Sequence, residues 1–308
     1  MNRSKVIILA TVLLLIIGGA LFFSTRNSKE PAPSNKIQVT ASFYPLAYIA
    51  SEVGGLRVSV RDLLPPGGEP HDFEPSPRDF ALLSKSDLLI YNGASFEPWV
   101  DKWTKSSFER PKNVVAMVNE LGKRGAPLMM RGGAVDPHVW LDPLLFEQEI
   151  NIVRDALIAV DPVHTDEYRA NANTLLARVS DLDQRFREGL RSCADNTIIA
   201  SHDAFGYIAR EYHFSVISIA GISPDEEPSP KVLASIVEVV RAKNIKYIFF
   251  ETTVSPKLSE AIAREVKGKT LVLNPLESLT TDEVQSKEDY LSIMTMNLKN
   301  LRTALSCN

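Results

Sequence analysis

The sequence predicts an α/β protein of two lobes, each on a mainly parallel sheet, joined by one long rigid α-helix and preceded by an N-terminal anchor or signal segment. Three observations carry this reading. Short strand-like runs alternate with helical stretches in both halves, the pattern of parallel sheets flanked by helices. Between the halves, the stretch from Asp161 to Arg191 spaces Tyr168, Ala172, Leu175, Val179, Leu182, Phe186 and Leu190 three or four residues apart, which is the stripe of a single amphipathic helix. At about 1.5 Å per residue such a helix spans on the order of 40 Å, the width of a small domain. Finally, Arg3 and Lys5 precede an uncharged apolar run from Val6 to Phe23, which marks secretion or membrane anchoring. The chain therefore divides into an anchor and tether (1–36), a first lobe (37–160), the linking helix (161–191) and a second lobe (192–308).

A chain of 308 residues is long enough for two domains, and its 44% hydrophobic and 23% charged content is that of an ordinary globular protein. The net charge of −4, with no Lys/Arg cluster, excludes a nucleic-acid binder. The apolar run is about as long as a marginal membrane span, and no Cys follows it to accept a lipid. It reads as an uncleaved anchor at residues 6–23, with the rest of the chain exported; cleavage near Gly18 to Ala20 is the alternative. The Pro-containing tract from Ser24 to Lys36 reads as a flexible tether. The two cysteines, Cys193 and Cys307, are either one disulfide pinning the C-terminus to the second lobe or two unrelated thiols.

In chain order, IQVTASF is a strand and Leu46 to Val53 a helix. LRVSVRDLL is a second strand, running into the extended loop PPGGEPHDFEPSP with His71 at its middle. A helix from Pro77 to Ser84 and a strand from Asp87 to Tyr91 follow. Gly122 to Asp136 is Gly-rich and without periodicity, and is expected to be mobile. DPHVWLDP places His138 just ahead of a helix beginning near Pro143. In the second lobe, NTIIA is a strand with His202 at its carboxyl end, then a helix to Arg210. FSVISIA, KYIFFET and TLVLN are further strands, with helices at Pro230 to Lys243, Pro256 to Val266 and about Lys287 to Leu305. Glu277 sits in the loop NPLES.

Of five His in the chain, His71, His138 and His202 lie in Pro-flanked or strand-end loops, where ligands of parallel sheets bind. Three neutral imidazoles and one carboxylate complete a tetrahedral shell for a zinc-like ion, here with two donors from each lobe. Glu277, Glu251 and Glu69 compete for the fourth position, while Asp142 and Asp203 suit acceptors that orient an imidazole. His164 and His213 read as ordinary surface or capping residues. The loop pair Met129 and Met130 lacks the partners a soft copper site needs. No HExxH helix or nucleophile elbow is present.

The segments ASFYPLAYIA, LLPPGGEPHDFEPSP, YNGASFEPWVDKW, DPHVWLDP, SHDAFGY, SIAGISPDEEPSP and LVLNPLESLT together resemble the zinc/manganese solute-binding proteins of ABC transporters, over nearly everything from Lys36 to Ser306. The resemblance implies two α/β lobes on one long helix and metal ligands at His71, His138 and His202. Manganese-type members tend to carry a carboxylate where His202 stands, so it implies Zn²⁺, with Mn²⁺ or iron as the alternative. Many relatives place an Asp ligand at the position of Asn274; this chain resembles instead the subgroup with NPLE, which makes Glu277 the fourth ligand and Glu251 the reserve. The region from 122 to 136 has no His, so the zinc-collecting insertion of some members is not expected here. The implied protein is a non-enzymatic monomer in the periplasm or at the cell surface, tethered by residues 6–23, which passes its metal to a membrane permease driven by a cytoplasmic ATPase. A zinc hydrolase, with a general base such as Glu251 or Glu69, and a surface adhesin, as some relatives are described, are the competing readings.

Overall fold

β-Branched and aromatic runs build two parallel sheets, and the helices between them supply the crossovers that parallel pairing needs. In the computed structural model, which describes residues 36–308 apart from Ser107, Phe108, Asp225 and Glu227, the first sheet contains β1 (Ile37–Ala41), β2 (Val58–Asp62), β3 (Leu88–Tyr91) and β4 (Asn113–Ala116). Its order is β2-β1-β3-β4, with Ile37 opposite Val58 and Val39 opposite Leu88. A small antiparallel hairpin, β5 (Met130–Arg131) with β6 (Ala134–Val135), follows. The second sheet contains β7 (Thr197–Ala200), β8 (Ser215–Ser218), β9 (Tyr247–Phe250) and β10 (Lys269–Val272), in the order β10-β9-β7-β8. Every residue of the inner strand β7 is buried, as helices on both faces require. The edge strand β2 instead exposes Arg61 and Asp62, charges that discourage pairing with another chain.

The connecting helices are α1 (Tyr44–Gly54), α2 (Pro77–Leu83), α3 (Pro98–Lys105), α4 (Met117–Lys123) and α5 (Pro143–Val160) in the first half. The linking helix α6 runs Thr165–Leu190, and α7 (Gly206–Glu211), α8 (Pro230–Ala242), α9 (Lys257–Glu265), α10 (Thr281–Gln285) and α11 (Tyr290–Ala304) follow. The buried face of α6 is Tyr168, Ala172, Leu175, Val179, Leu182, Phe186 and Leu190, the stripe read from the sequence. These side chains join one apolar cluster that continues under both sheets. On the exposed side of α6, Arg178 bonds Glu52 of α1 at 2.6 Å and Asp289, the N-cap of α11, at 3.2 Å, so one guanidinium ties elements of both halves to the same helix.

Several sequence expectations need correction. α6 begins at Thr165, because Pro162 to His164 form a 3₁₀ turn. The final helix, expected from about Lys287 to Leu305, runs Tyr290–Ala304 from the capping box of Asp289 with Ser292, and a short helix not read from the sequence, Thr281–Gln285, precedes it from the capping box of Thr280 with Glu283. No element was read between Tyr91 and Gly122, where α3, β4 and most of α4 lie; each is too short to show a period. The 122–136 stretch, expected to be mobile for want of periodicity, contains a hairpin: Gly132 and Gly133, both at positive φ (56° and 88°), make the tight turn between β5 and β6. The expected anchor at 6–23 lies outside the described residues; among the described residues, no helix is long and apolar enough to cross a membrane.

Cys193 and Cys307 are joined by a disulfide across 114 residues of sequence. The bond sits in a short backbone ladder, with Asp195 N–H donating to Leu305 O at 3.0 Å and Asn308 N–H to Ser192 O at 3.1 Å. Because it closes so long a loop in the unfolded chain, the double substitution Cys193→Ser/Cys307→Ser is expected to lower stability by about 2–4 kcal/mol. Urea unfolding with and without the bond checks this; coincident midpoints would contradict it.

Candidate metal centre

In parallel sheets the loops leaving the carboxyl ends of the strands share one edge, and here they converge. The loop after β2 carries His71, the residues after β7 carry His202, and the loop after β10 carries Glu277. His138 arrives from the first half, as the residue capping the 3₁₀ turn Val139–Leu141 ahead of α5. The four side chains meet, with one donor atom from each lying within 4.8 Å of all the others.

The spacing is that of a coordination shell. Glu277 Oε1 lies 3.6 Å from His71 Nε2, 3.4 Å from His138 Nε2 and 3.2 Å from His202 Nε2. Donors bound at about 2.0–2.1 Å to a tetrahedral zinc stand about 3.3 Å apart, so these three separations match the edges that meet at the carboxylate corner of such a tetrahedron. His138 and His202 are fully buried, Glu277 is 1% exposed, and the His71 side chain, at 8%, is the most accessible of the four. None of the three Nε2 atoms, and neither oxygen of Glu277, has a hydrogen-bond partner despite being buried. Burying so many unpaired polar atoms is costly, and a cation at their centre would offset that cost.

The far side of each deep imidazole is held by a carboxylate. His138 Nδ1 bonds Asp136 Oδ1 at 2.8 Å, and His202 Nδ1 bonds Glu251 Oε1 at 2.7 Å. An acceptor at Nδ1 fixes the proton there and turns the Nε2 lone pair towards the centre. Burial opposes charging of His202, but Glu251 and Glu277 outweigh it and hold its pKa well above the usual imidazole range. His138 is raised in the same way, with Asp136 and Glu277 outweighing burial. Burial likewise opposes ionisation of Glu277, yet the surrounding imidazoles, His202 foremost, keep it well below the carboxylate range. The His71 ring leans edge-on against Phe96 at 4.7 Å between centroids, and the His71 backbone N–H donates to Glu69 Oε1 at 3.0 Å.

Further contacts fix the loops. Glu97, buried beneath them, accepts from Ser42 Oγ (2.6 Å), Asn92 N–H (2.7 Å) and Gly93 N–H (3.0 Å). Asn92 Nδ2 in turn donates to Pro137 O at 2.9 Å, next to His138. Trp140 Nε1 donates to Pro275 O at 2.7 Å, which joins the His138 turn to the Glu277 loop.

Sequence reasoning placed two orienting acceptors wrongly. Asp142 caps α5, accepting from Leu144 N–H at 2.9 Å, and Asp203 faces Arg131 at 3.6 Å. The acceptors that the imidazoles do find are Glu251, kept in reserve as a ligand, and Asp136, which was overlooked. Its signal was its place two residues before His138, where one short turn lets the side chain reach both the backbone N–H and Nδ1 of that residue. The β5–β6 hairpin also reaches the second half. Met129 N–H donates to the Tyr207 hydroxyl at 3.0 Å, and that hydroxyl donates to Asp136 O at 2.9 Å.

The family model described as zinc-uptake complex component A, periplasmic (ZnuA) matches residues 39–304. The chain belongs to this family. It is 33% identical over 297 residues to the high-affinity zinc uptake system protein ZnuA of Bacillus subtilis, covering 92% of this chain and 91% of that protein. It is 32% identical over 305 residues to the zinc-binding lipoprotein AdcA of Streptococcus pneumoniae, covering 94% of this chain but 60% of the lipoprotein. The crystal structure of the Zn(II)-bound ZnuA-like domain of that AdcA superposes with a TM-score of 0.77 at 33% identity, over 88% of this chain and 99% of the domain. At the level of the family, the chain is a component of an uptake complex and not an enzyme, and it works outside the cytoplasm.

Because Asp136 and Glu251 set the two deep imidazoles, Asp136→Asn and Glu251→Gln should each weaken metal binding by about 10- to 100-fold. Competition with a fluorescent chelator measures this; parental affinity in both variants would refute the orienting role.

Proposed function

We propose that this chain is the extracytoplasmic solute-binding protein of an ABC importer, which captures Zn²⁺ on His71, His138, His202 and Glu277 and passes it to a membrane permease powered by a cytoplasmic ATPase. The observation that carries this is the buried set of three unpartnered Nε2 atoms 3.2–3.6 Å from one carboxylate oxygen. Membership of the zinc-uptake family, and a zinc-bound neighbour of similar fold, support the same cargo. Three nitrogens and one oxygen in that spacing suit zinc better than manganese, which favours more oxygen donors in an octahedral array. A hydrolase would need an open coordination position for water, and a shell closed by four protein donors leaves none. One chain supplies all four donors, so capture needs no second copy, and we assign a monomer. The apolar run at 6–23 would hold it at the membrane near its permease.

His71, the most accessible donor, sits on the loop that closes against the second half. Gly67 N–H donates to Leu279 O, and Ser278 Oγ to Gly68 O, both at 2.9 Å. Since α6 and the shared apolar cluster resist a wide hinge, release proceeds by small shifts of these loops. Breaking the Gly67 and Gly68 contacts would withdraw His71 and leave three donors, which hold the ion less tightly.

The test is metal content and affinity of protein purified without chelators. One zinc per chain is expected, with Glu277→Ala weakening binding on the order of 100-fold or more and beyond the effect of Glu251→Gln. Zinc binding indifferent to Glu277 would overturn the assignment.

Loading also depends on pH. A ligating imidazole must be neutral, whereas the raised pKa values of His138 and His202 favour protons on the metal-free site. Zinc must displace them, so affinity should fall as pH is lowered, with net proton release on binding near pH 7. Calorimetry in buffers of different ionisation enthalpy reads the number released; a heat independent of buffer would contradict the coupling.

A further inference from the structure

The turn that presents Glu277 is built unlike the other loops of the site. Leu276, immediately before it, is fully buried and holds φ = 61°, the left-handed region that a residue with a Cβ rarely adopts. Such a conformation persists only where neighbouring contacts over-determine it. Asn297 of α11 grips Asn274 on both sides: Asn274 N–H donates to Asn297 Oδ1 at 2.9 Å, and Asn297 Nδ2 donates to Asn274 O at 2.7 Å. Asn274 Oδ1 then accepts the Leu276 N–H at 2.7 Å. Glu283 closes the loop from its other end, with Oε1 accepting from Asn274 Nδ2 at 2.9 Å and Oε2 from Thr280 N–H at 2.7 Å. Both asparagines are almost wholly buried, and neither belongs to the donor set.

We infer that Asn297 and Asn274, with Glu283, are positioning residues that fix the backbone from which Glu277 reaches the ion, and that this bracket makes the site selective for a small four-coordinate cation over a larger one. The inference rests on the four-donor reading above. The same oxygen, Oε1, approaches all three imidazoles. With Leu276 locked, the backbone of Glu277 is held at the point from which Oε1 reaches all three imidazoles. Once the lock is released, Leu276 relaxes towards an ordinary backbone conformation and the carboxylate gains freedom to donate twice. A higher coordination number suits manganese or calcium more than zinc. Selectivity would then reside partly in α11, away from every ligand.

The test compares Asn297→Ala, Asn297→Asp and Glu283→Ala with the parent, using Co²⁺ as a spectroscopic stand-in for Zn²⁺. The Asp variant keeps the acceptor for Asn274 N–H but loses the donor. Glu283 is partly exposed, so its removal opens the bracket without touching the core and guards against a failure of Asn297→Ala to fold. The parent should show the intense visible bands of four-coordinate Co²⁺. Asn297→Ala and Glu283→Ala should weaken those bands and reduce the ratio of zinc to manganese affinity by about 10-fold or more, with Asn297→Asp between them and the parent. Variants that melt earlier but keep the parental cobalt spectrum and affinity ratio would show a merely structural role and overturn the inference. A weak, six-coordinate spectrum in the parent itself would instead remove the four-donor reading beneath it.

Discussion

A carboxylate buried to 1% exposure and faced by three imidazoles is the constraint on which the structure turns. Left alone, Glu277 would be an unsolvated charge among unpartnered nitrogens, which a protein interior does not tolerate without a partner. In the metal-free site the neighbouring carboxylates raise the pKa of His138 and His202 and so favour protons there, and a divalent cation would meet the same demand. Proton and metal therefore compete for the same space. The carboxylates behind the rings, Asp136 and Glu251, serve both states, since an acceptor at Nδ1 steadies the charged imidazolium and also aims the neutral ring.

Bringing four donors to one point is a problem of topology, and two parallel sheets solve it economically. The carboxyl ends of β2, β7 and β10 deliver His71, His202 and Glu277, while the turn ahead of α5 delivers His138. The linking helix and the cluster beneath both sheets keep those ends in register. Trp140 illustrates the coupling: its ring packs against Phe43 and Phe96, its Nε1 holds Pro275 O, and its own carbonyl accepts the Tyr290 hydroxyl at 2.6 Å. One residue thus links the His138 turn, the Glu277 loop and α11. A frame so connected confines the motion needed for release to the loops, with the accessible His71 the donor best placed to leave first.

Much of this was legible in the sequence because it rests on periodicity or on punctuation. The α6 stripe shows through because a 26-residue helix repeats its pattern many times. His71, His138 and His202 stand out because Pro or a strand end holds each in a loop. What stayed hidden depends on local geometry or distant pairing. Asp136 was overlooked since its value comes from one turn that folds it back on His138. Asp142 and Asp203 misled because adjacency to a His along the chain is not adjacency to its ring. The hairpin at Met130 to Val135 stayed unread because two strands of two residues each leave no period. That Asn297 would grip a turn 23 residues away could be seen only once β10 and α11 were packed.

The central claim, that three imidazoles and the Glu277 carboxylate form a closed four-coordinate shell for zinc, is tested most directly by X-ray absorption on the zinc-loaded protein. The account requires four nitrogen or oxygen neighbours at about 2.0 Å, with outer-sphere scattering from three imidazole rings and loss of a single oxygen neighbour in Glu277→Ala. Five or six neighbours, fewer than three imidazoles, or a spectrum unaltered by Glu277→Ala would contradict it.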